Sequence, residues 1–213
     1  MVPMGVPLLK SVAVTNRFCA AALDQEWRGL VLCALYLGQR LGDLARLTWR
    51  AVDLEHDEIA FTAKKTGRRI LLPLVPQLVD YFGALPAGDN PNDPIFPRSA
   101  AIKNTSTLSN QFRDILVEAG LAQPYTADSK KGRSAARETI NISFHSFRHT
   151  ATSMLKAAGV SNSIAMQIIG HESEAVSRQY THLGTDVLRN AMAKLPDVSA
   201  PTKTTRGKRG AKK

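Results

Sequence analysis

Between Ala51 and Leu74 the spacing of apolar residues changes from the helical period of the flanking chain to short β-prone runs, and this switch limits what the chain can fold into. The stretch VDLEHDEIAFTAKKTGRRILLPL has polar turns at Glu55-His56-Asp57 and Lys65-Thr66-Gly67, with runs such as Ile59-Ala60-Phe61-Thr62 between them. Short runs divided by tight polar turns read as a small antiparallel meander. Helical spacing on both sides then predicts an α+β, mainly α-helical domain, its helices arranged around a small antiparallel three-stranded sheet.

The helices are placed by period and punctuation. Thr15 can cap a first helix, and the apolar run Leu30–Leu37 continues at helical spacing into Leu41, Leu44 and Leu47. Pro76 starts a helix reaching about Leu85, followed by the loop PAGDNPNDP. Helices resume at Leu108–Ala119, ended by Gly120, and at His145–Ala158, ended by Gly159. Ser161 caps a short helix stopping at Gly170, Ser173 another through His182, and Thr185 a last one to about Lys194. Residues 125–143 are polar and basic, a loop or a small insertion.

At 213 residues the chain can build one sizeable core. Residues 1–14 read as a linker-like segment, 15–198 as one domain and 199–213 as a disordered basic tail. The net charge of +10 is unevenly spread: the tail from Pro201 holds six positive charges and no acid, which leaves +4 for residues 1–200. Such a tail is either a solubilising end or a non-specific contact to phosphates. No apolar run is long enough to span a membrane and no secretory signal opens the chain. Cys19 and Cys33 are isolated, without framework or CxxC spacing, and read as thiols of a reducing, cytoplasmic compartment.

The chemistry-bearing stretch is SFHSFRHT, residues 143–150. On a helix, His145 shares a face with Arg148 and with His149, three and four residues on. The second spacing suits zinc, but a zinc pair wants a third ligand and a Glu after the first His, where Ser146 stands. A guanidinium on the same face repels a divalent cation and favours an oxyanion. Arg40, inside an apolar stretch, is on its own a snorkelling or ion-paired arginine with Asp43 as ready partner. Lys65 is on its own a solvated hairpin lysine, His171 a helix-end cap, and Tyr180 a core residue on a stripe with Val176 and Leu183.

Taken in order, these residues resemble the catalytic domain of the tyrosine recombinases, the phage integrase family. The marks are Gly38-Gln39-Arg40 with Asp43, Lys65 in the KTG turn, His145-Ser146-Phe147-Arg148, Gly170-His171, and Tyr180 nine residues beyond His171. The text FHSFRHTATSMLKAAGV…IAMQIIGHES…YTHL carries the likeness over about forty residues, and the resemblance covers roughly residues 15–195. It implies site-specific cutting and rejoining of double-stranded DNA through a 3′-phosphotyrosyl intermediate, with no cofactor and no metal.

The resemblance assigns Arg40 and Arg148 to the phosphate clamp, His171 to a hydrogen bond on it, Tyr180 as nucleophile, His145 as general base and Lys65 as general acid. Asp43 would orient Arg40 from behind. Lys64, Arg68, Lys130 and Lys131 are candidate DNA contacts, Lys64 being also a rival for the role of Lys65. His149 lies one position past the functional face. The resemblance further implies a homotetramer on DNA, with the amphipathic TDVLRNAMAKL (185–195) docking on a neighbour. Three departures stand out. Gln39 replaces an apolar residue beside Arg40 and Asp43 stands where Glu is commoner, both of which could loosen Arg40, and only 39 residues precede Arg40. That is too few for the family's DNA-clamping domain, so a partner or a missing domain would have to supply it. The alternatives are a DNA-binding remnant without productive recombination and a type IB topoisomerase-like relaxing enzyme.

Overall fold

The computed structural model describes residues 24–86, 90–123, 142–170 and 185–197. In chain order they form α1 (Gln25–Leu37), α2 (Leu41–Leu44), a 3-10 turn (Trp49–Ala51), β1 (Val52–Asp53), β2 (Glu58–Thr62), β3 (Arg69–Pro73), α3 (Pro76–Gly83), α4 (Pro97–Ala101), α5 (Thr105–Glu118), α6 (His145–Ala157), α7 (Asn162–Ile169) and α8 (Thr185–Met192). The fold is mainly helical with one three-stranded antiparallel sheet in the order β1-β2-β3, as the meander pattern predicts. Ile59 stands opposite both Val52 and Leu72, and Phe61 opposite Ile70. The linker-like segment 1–14, the caps at Thr15 and Ser173, residues 124–141 and the tail 199–213 lie outside the described residues.

α1 is buried on every side from Leu30 to Leu37, the signature of a central helix, and α6, α2 and α3 pack around it. Asp24 caps its start, accepting the Glu26 N–H at 2.9 Å. Its end differs from the sequence expectation that helical spacing runs on to Leu47. Gly38 turns left-handed at φ +64°, its N–H closing on the Ala34 carbonyl at 3.0 Å. A Cβ there would collide with the Ile169 side chain. Leu41 and Leu44 therefore belong to a separate four-residue helix.

α4 is a second departure, too short to show a period. Pro97 starts it, and the Glu26 carboxylate accepts the N–H groups of Arg98 and Ser99, both at 3.0 Å. α5 begins three residues before Leu108 because Asn104 accepts the Ser106 N–H at 2.9 Å.

The start of α6 is fixed by aromatics. Phe144 and Phe147 are buried, with ring centroids 5.4 Å apart, and lie 5.4 and 5.6 Å from Phe112 of α5. Trp27 of α1 closes the cluster, 6.0 Å from Phe112. Edge-to-face packing of this kind sets the rotation of α6 and leaves His145 on its solvent-reaching side.

α8 buries Leu188, Ala191 and Met192 against β3 and α7 of its own chain. Arg189 Nη2 donates to the His56 carbonyl at 3.1 Å and stands 3.7 Å from Glu58. The amphipathic face that the sequence offers to a neighbour is thus covered within the chain. No described helix is long and apolar enough to cross a membrane.

Candidate active site

The arginine turn begins where α1 stops. Gly38 reverses the chain, Gln39 is buried at 3% exposure, and Arg40 caps α2 with its carbonyl accepting the Asp43 and Leu44 N–H groups at 3.0 Å. Gln39 does not loosen this turn. Its Nε2 donates to the Leu37 carbonyl at 2.7 Å and to the Ile168 carbonyl at 2.9 Å, tying the turn to the end of α7. The second of these acceptors lies 129 positions along the chain, beyond the reach of any local pattern.

Arg148 reaches the same place from α6. It is 2% exposed, and its Nη1 donates to the Gly38 carbonyl at 2.7 Å. Burial pushes its pKa down to about 10, with the Arg40 charge adding to the fall, Asp43 opposing it and Arg68 adding further. Arg148 is therefore still a cation at neutral pH, next to two others. Such a cluster is costly to bury and is ready to accept an anion.

The hairpin between β2 and β3 brings the lysines. Its turn is closed by the Gly67 N–H on the Ala63 carbonyl and the Ala63 N–H on the Arg68 carbonyl, both at 2.8 Å, with Gly67 at φ +66°. Lys64 and Lys65 are exposed. Asp43 Oδ1 accepts the Lys64 backbone N–H at 3.0 Å, and among the described residues no ion pair joins Asp43 to Arg40. The carboxylate thus grips the lysine hairpin directly and acts on Arg148 through its charge. Arg68 is half-buried, and its Nη2 donates to the Gln167 carbonyl at 3.2 Å.

Arg68, Arg148 and Gln39 meet at Gly170. A Cβ there would lie 3.6 Å from Arg68 Nη1, 3.8 Å from Arg148 Nη2 and 4.0 Å from Gln39 Oε1, and Gly170 itself holds φ +74°. The adjoining cleft, of about 740 Å³, is lined by Arg40, Asp43, Lys64, Lys65 and His145, with Arg46, Lys103 and Arg113 as further cations that the sequence reading passed over. Arg46 buttresses α2, donating to the Gly42 and Lys103 carbonyls at 2.7 and 3.0 Å.

His145 reaches solvent, yet burial is the leading cause that lowers its pKa, followed by the charges of His149, Arg148 and Arg40. A lowered value keeps the imidazole neutral at pH 7, able to accept a proton. The His149 ring is 5.0 Å away, edge to face, and among the described residues no group of three His, Cys, Asp or Glu could hold a metal. The structure therefore brings together Arg40, Asp43, Lys64, Lys65, Arg68, His145 and Arg148. Lys130, Lys131, His171 and Tyr180 lie outside the described residues.

Comparison with known proteins gives a consistent picture. The model of the phage integrase family matches residues 11–186. Tyrosine recombinase XerS of Lactococcus lactis subsp. cremoris (strain MG1363) is 24% identical over 188 residues, which is 85% of this chain and 49% of XerS. Tyrosine recombinase XerD of Vibrio vulnificus (strain YJ016) is 24% identical over 160 residues, 71% of this chain and 47% of XerD. The chain spans about half the length of the curated relatives it matches. Among solved structures, the integrase from mycobacterium phage Brujita superposes with a TM-score of 0.67 at 18% identity, over 97% of this chain and 63% of that one. XerA recombinase gives 0.59 at 26% identity, covering 89% and 64%. A lambda integrase dimer bound to a COC' core site gives 0.57 at 19%, covering 83% and 48%.

Proposed function

The chain belongs to the phage integrase family, and from that premise we propose that it is a strand-transferring catalytic domain that cuts and rejoins double-stranded DNA through a 3′-phosphotyrosyl link. The observation that carries the proposal is that Arg40, the Lys65 hairpin and His145 line one cleft, with the buried Arg148 close enough behind it for the Arg40 charge to lower its pKa.

Each group has a defined task. The Arg40 and Arg148 guanidiniums bind the non-bridging oxygens of the scissile phosphate, where negative charge builds in the transition state. The Tyr180 phenol oxygen attacks phosphorus while its proton passes to neutral His145, since a phenol with a pKa of about 10 needs a base near pH 7. The P–O5′ bond breaks, and the Lys65 ammonium gives its proton to the leaving oxygen. His171 donates to the phosphate. Tyrosine is left esterified to the 3′ phosphate beside a free 5′-hydroxyl. A second 5′-hydroxyl reverses every step and reseals the strand, so no ATP and no metal enter. Lys64, Lys130 and Lys131 add contacts to the DNA backbone.

Recombination joins two duplexes, so the active assembly is a homotetramer, with specific site binding supplied by a clamp domain or an accessory protein. The test is covalent capture. The protein is incubated with a pool of nicked duplexes randomised around the nick, then denatured. Adducts should form with the parent chain and vanish with Tyr180→Phe; adducts formed equally by that variant remove Tyr180 as nucleophile.

A further inference from the structure

The turn KKTGRR is closed by its own backbone bonds, and its tip stands clear of the body: nothing lies within 4 Å of a Cβ built at Gly67. A hairpin of this kind, carrying an exposed lysine, pivots unless it is pinned on both sides. One pin is the Asp43 carboxylate on the Lys64 N–H. The other comes from the β3 side, where Arg68 crosses to the Gln167 carbonyl.

Arg68 is unlike the turn residues beside it. Residues 64–67 and Arg69 are exposed, whereas Arg68 is half-buried, with its guanidinium at the end of α7. The last carbonyls of a helix lack intrahelical partners and carry the negative end of its dipole, so a cation is favoured there. This offsets the repulsion from Arg148, whose pKa Arg68 helps to lower. The consecutive carbonyls of α7 are shared out: Gln167 to Arg68 from the lysine hairpin, Ile168 to Gln39 from the arginine turn. One helix end thereby sets the hairpin against the phosphate clamp.

We propose that Arg68 is a positioning residue for Lys65: by docking the hairpin on α7 it fixes where the Lys65 ammonium stands, and so governs protonation of the leaving 5′ oxygen. The inference rests on Lys65 as the general acid. It is a different role from the backbone contact that the sequence suggests for Arg68, because the side chain acts through Lys65 and leaves the phosphate to Arg40 and Arg148.

A captured duplex is remade with sulfur in place of the bridging 5′ oxygen. A thiolate leaves without needing a proton, so a defect in acid delivery disappears on the sulfur substrate and a defect at the phosphate persists. Misplacing an acid by about 1 Å can cost about 10²-fold. Arg68→Ala should lose about that much on the oxygen duplex and return to within a few-fold of the parent on the sulfur duplex, in step with Lys65→Ala. Arg68→Lys, which keeps charge but not the planar fork, should fall between, and it decides the matter if Arg68→Ala melts early. Equal losses on both duplexes would overturn the proposal and place Arg68 on the phosphate. If sulfur fails to rescue Lys65→Ala, the reading of Lys65 falls, and this inference with it. Rescue of Lys65→Ala alone sinks only the role given to Arg68.

Discussion

At the scale of single residues, the site is a set of cations held close by neutral acceptors. Arg148 illustrates it: its Nη1 donates to the Gly38 carbonyl, and the charges of Arg40 and Arg68 repel it while that of Asp43 opposes them. His145 feels the same field, and its pKa is lowered by burial, then by His149. A base works when neutral, so strand cleavage should rise with pH through the His145 pKa, and that acid limb should sit below the ordinary histidine value of about 6.5. His149→Ala removes one of the causes of lowering, so the midpoint of the limb should move up in pH. A pH–rate profile of adduct formation checks this; a midpoint that stays put would show that the His149 field does not reach the base. Arg40 and Arg148 were singled out by their order in a motif set, since each alone reads as an ordinary arginine. Gln39 was not, because its value lies in two carbonyl oxygens, one of them 129 positions away, that no local pattern reveals.

At the scale of elements, the meander, α6 and the Ser161-capped α7 were readable because each carries its own stop and start chemistry, such as the Ser161 hydroxyl accepting the Ile164 N–H at 3.4 Å. The break after α1 was hidden, since Leu41 and Leu44 keep a helical spacing across Gly38, which turns left-handed where a side chain would meet Ile169. α4 was hidden too, because Glu26, 72 positions before Arg98, supplies its N-terminal bonds. The hairpin gives the element-scale prediction. A hydrogen bond to a charged acceptor is worth about 1.5–3 kcal/mol, so Asp43→Ala should speed exchange of the Lys64 amide by at least about tenfold. Hydrogen–deuterium exchange across residues 60–72 reads it, and unchanged exchange would mean that the hairpin is held elsewhere.

At the scale of the whole molecule, charge and packing divide the work. The helices bury one continuous core with α1 at its centre, while cations gather on one cleft and in the tail. Each neutralised phosphate contributes about 0.9 to the slope of log affinity against log salt. Deleting residues 201–213, with their six positive charges, should therefore flatten that slope by up to about 5 for duplex DNA, measured by fluorescence anisotropy across a salt series. An unchanged slope would make the tail a solubilising end. The shared carbonyls of α7 have a consequence for how such a chain can drift over time. One residue inserted or deleted inside α7 would swing the acceptors at Gln167 and Ile168 by about 100° around the helix axis. The bonds from Arg68 and Gln39 to α7 would be lost together. Replacements along the outer side of α7 are open to selection, but its length is not, and changes in chain length have to collect in the loops between elements.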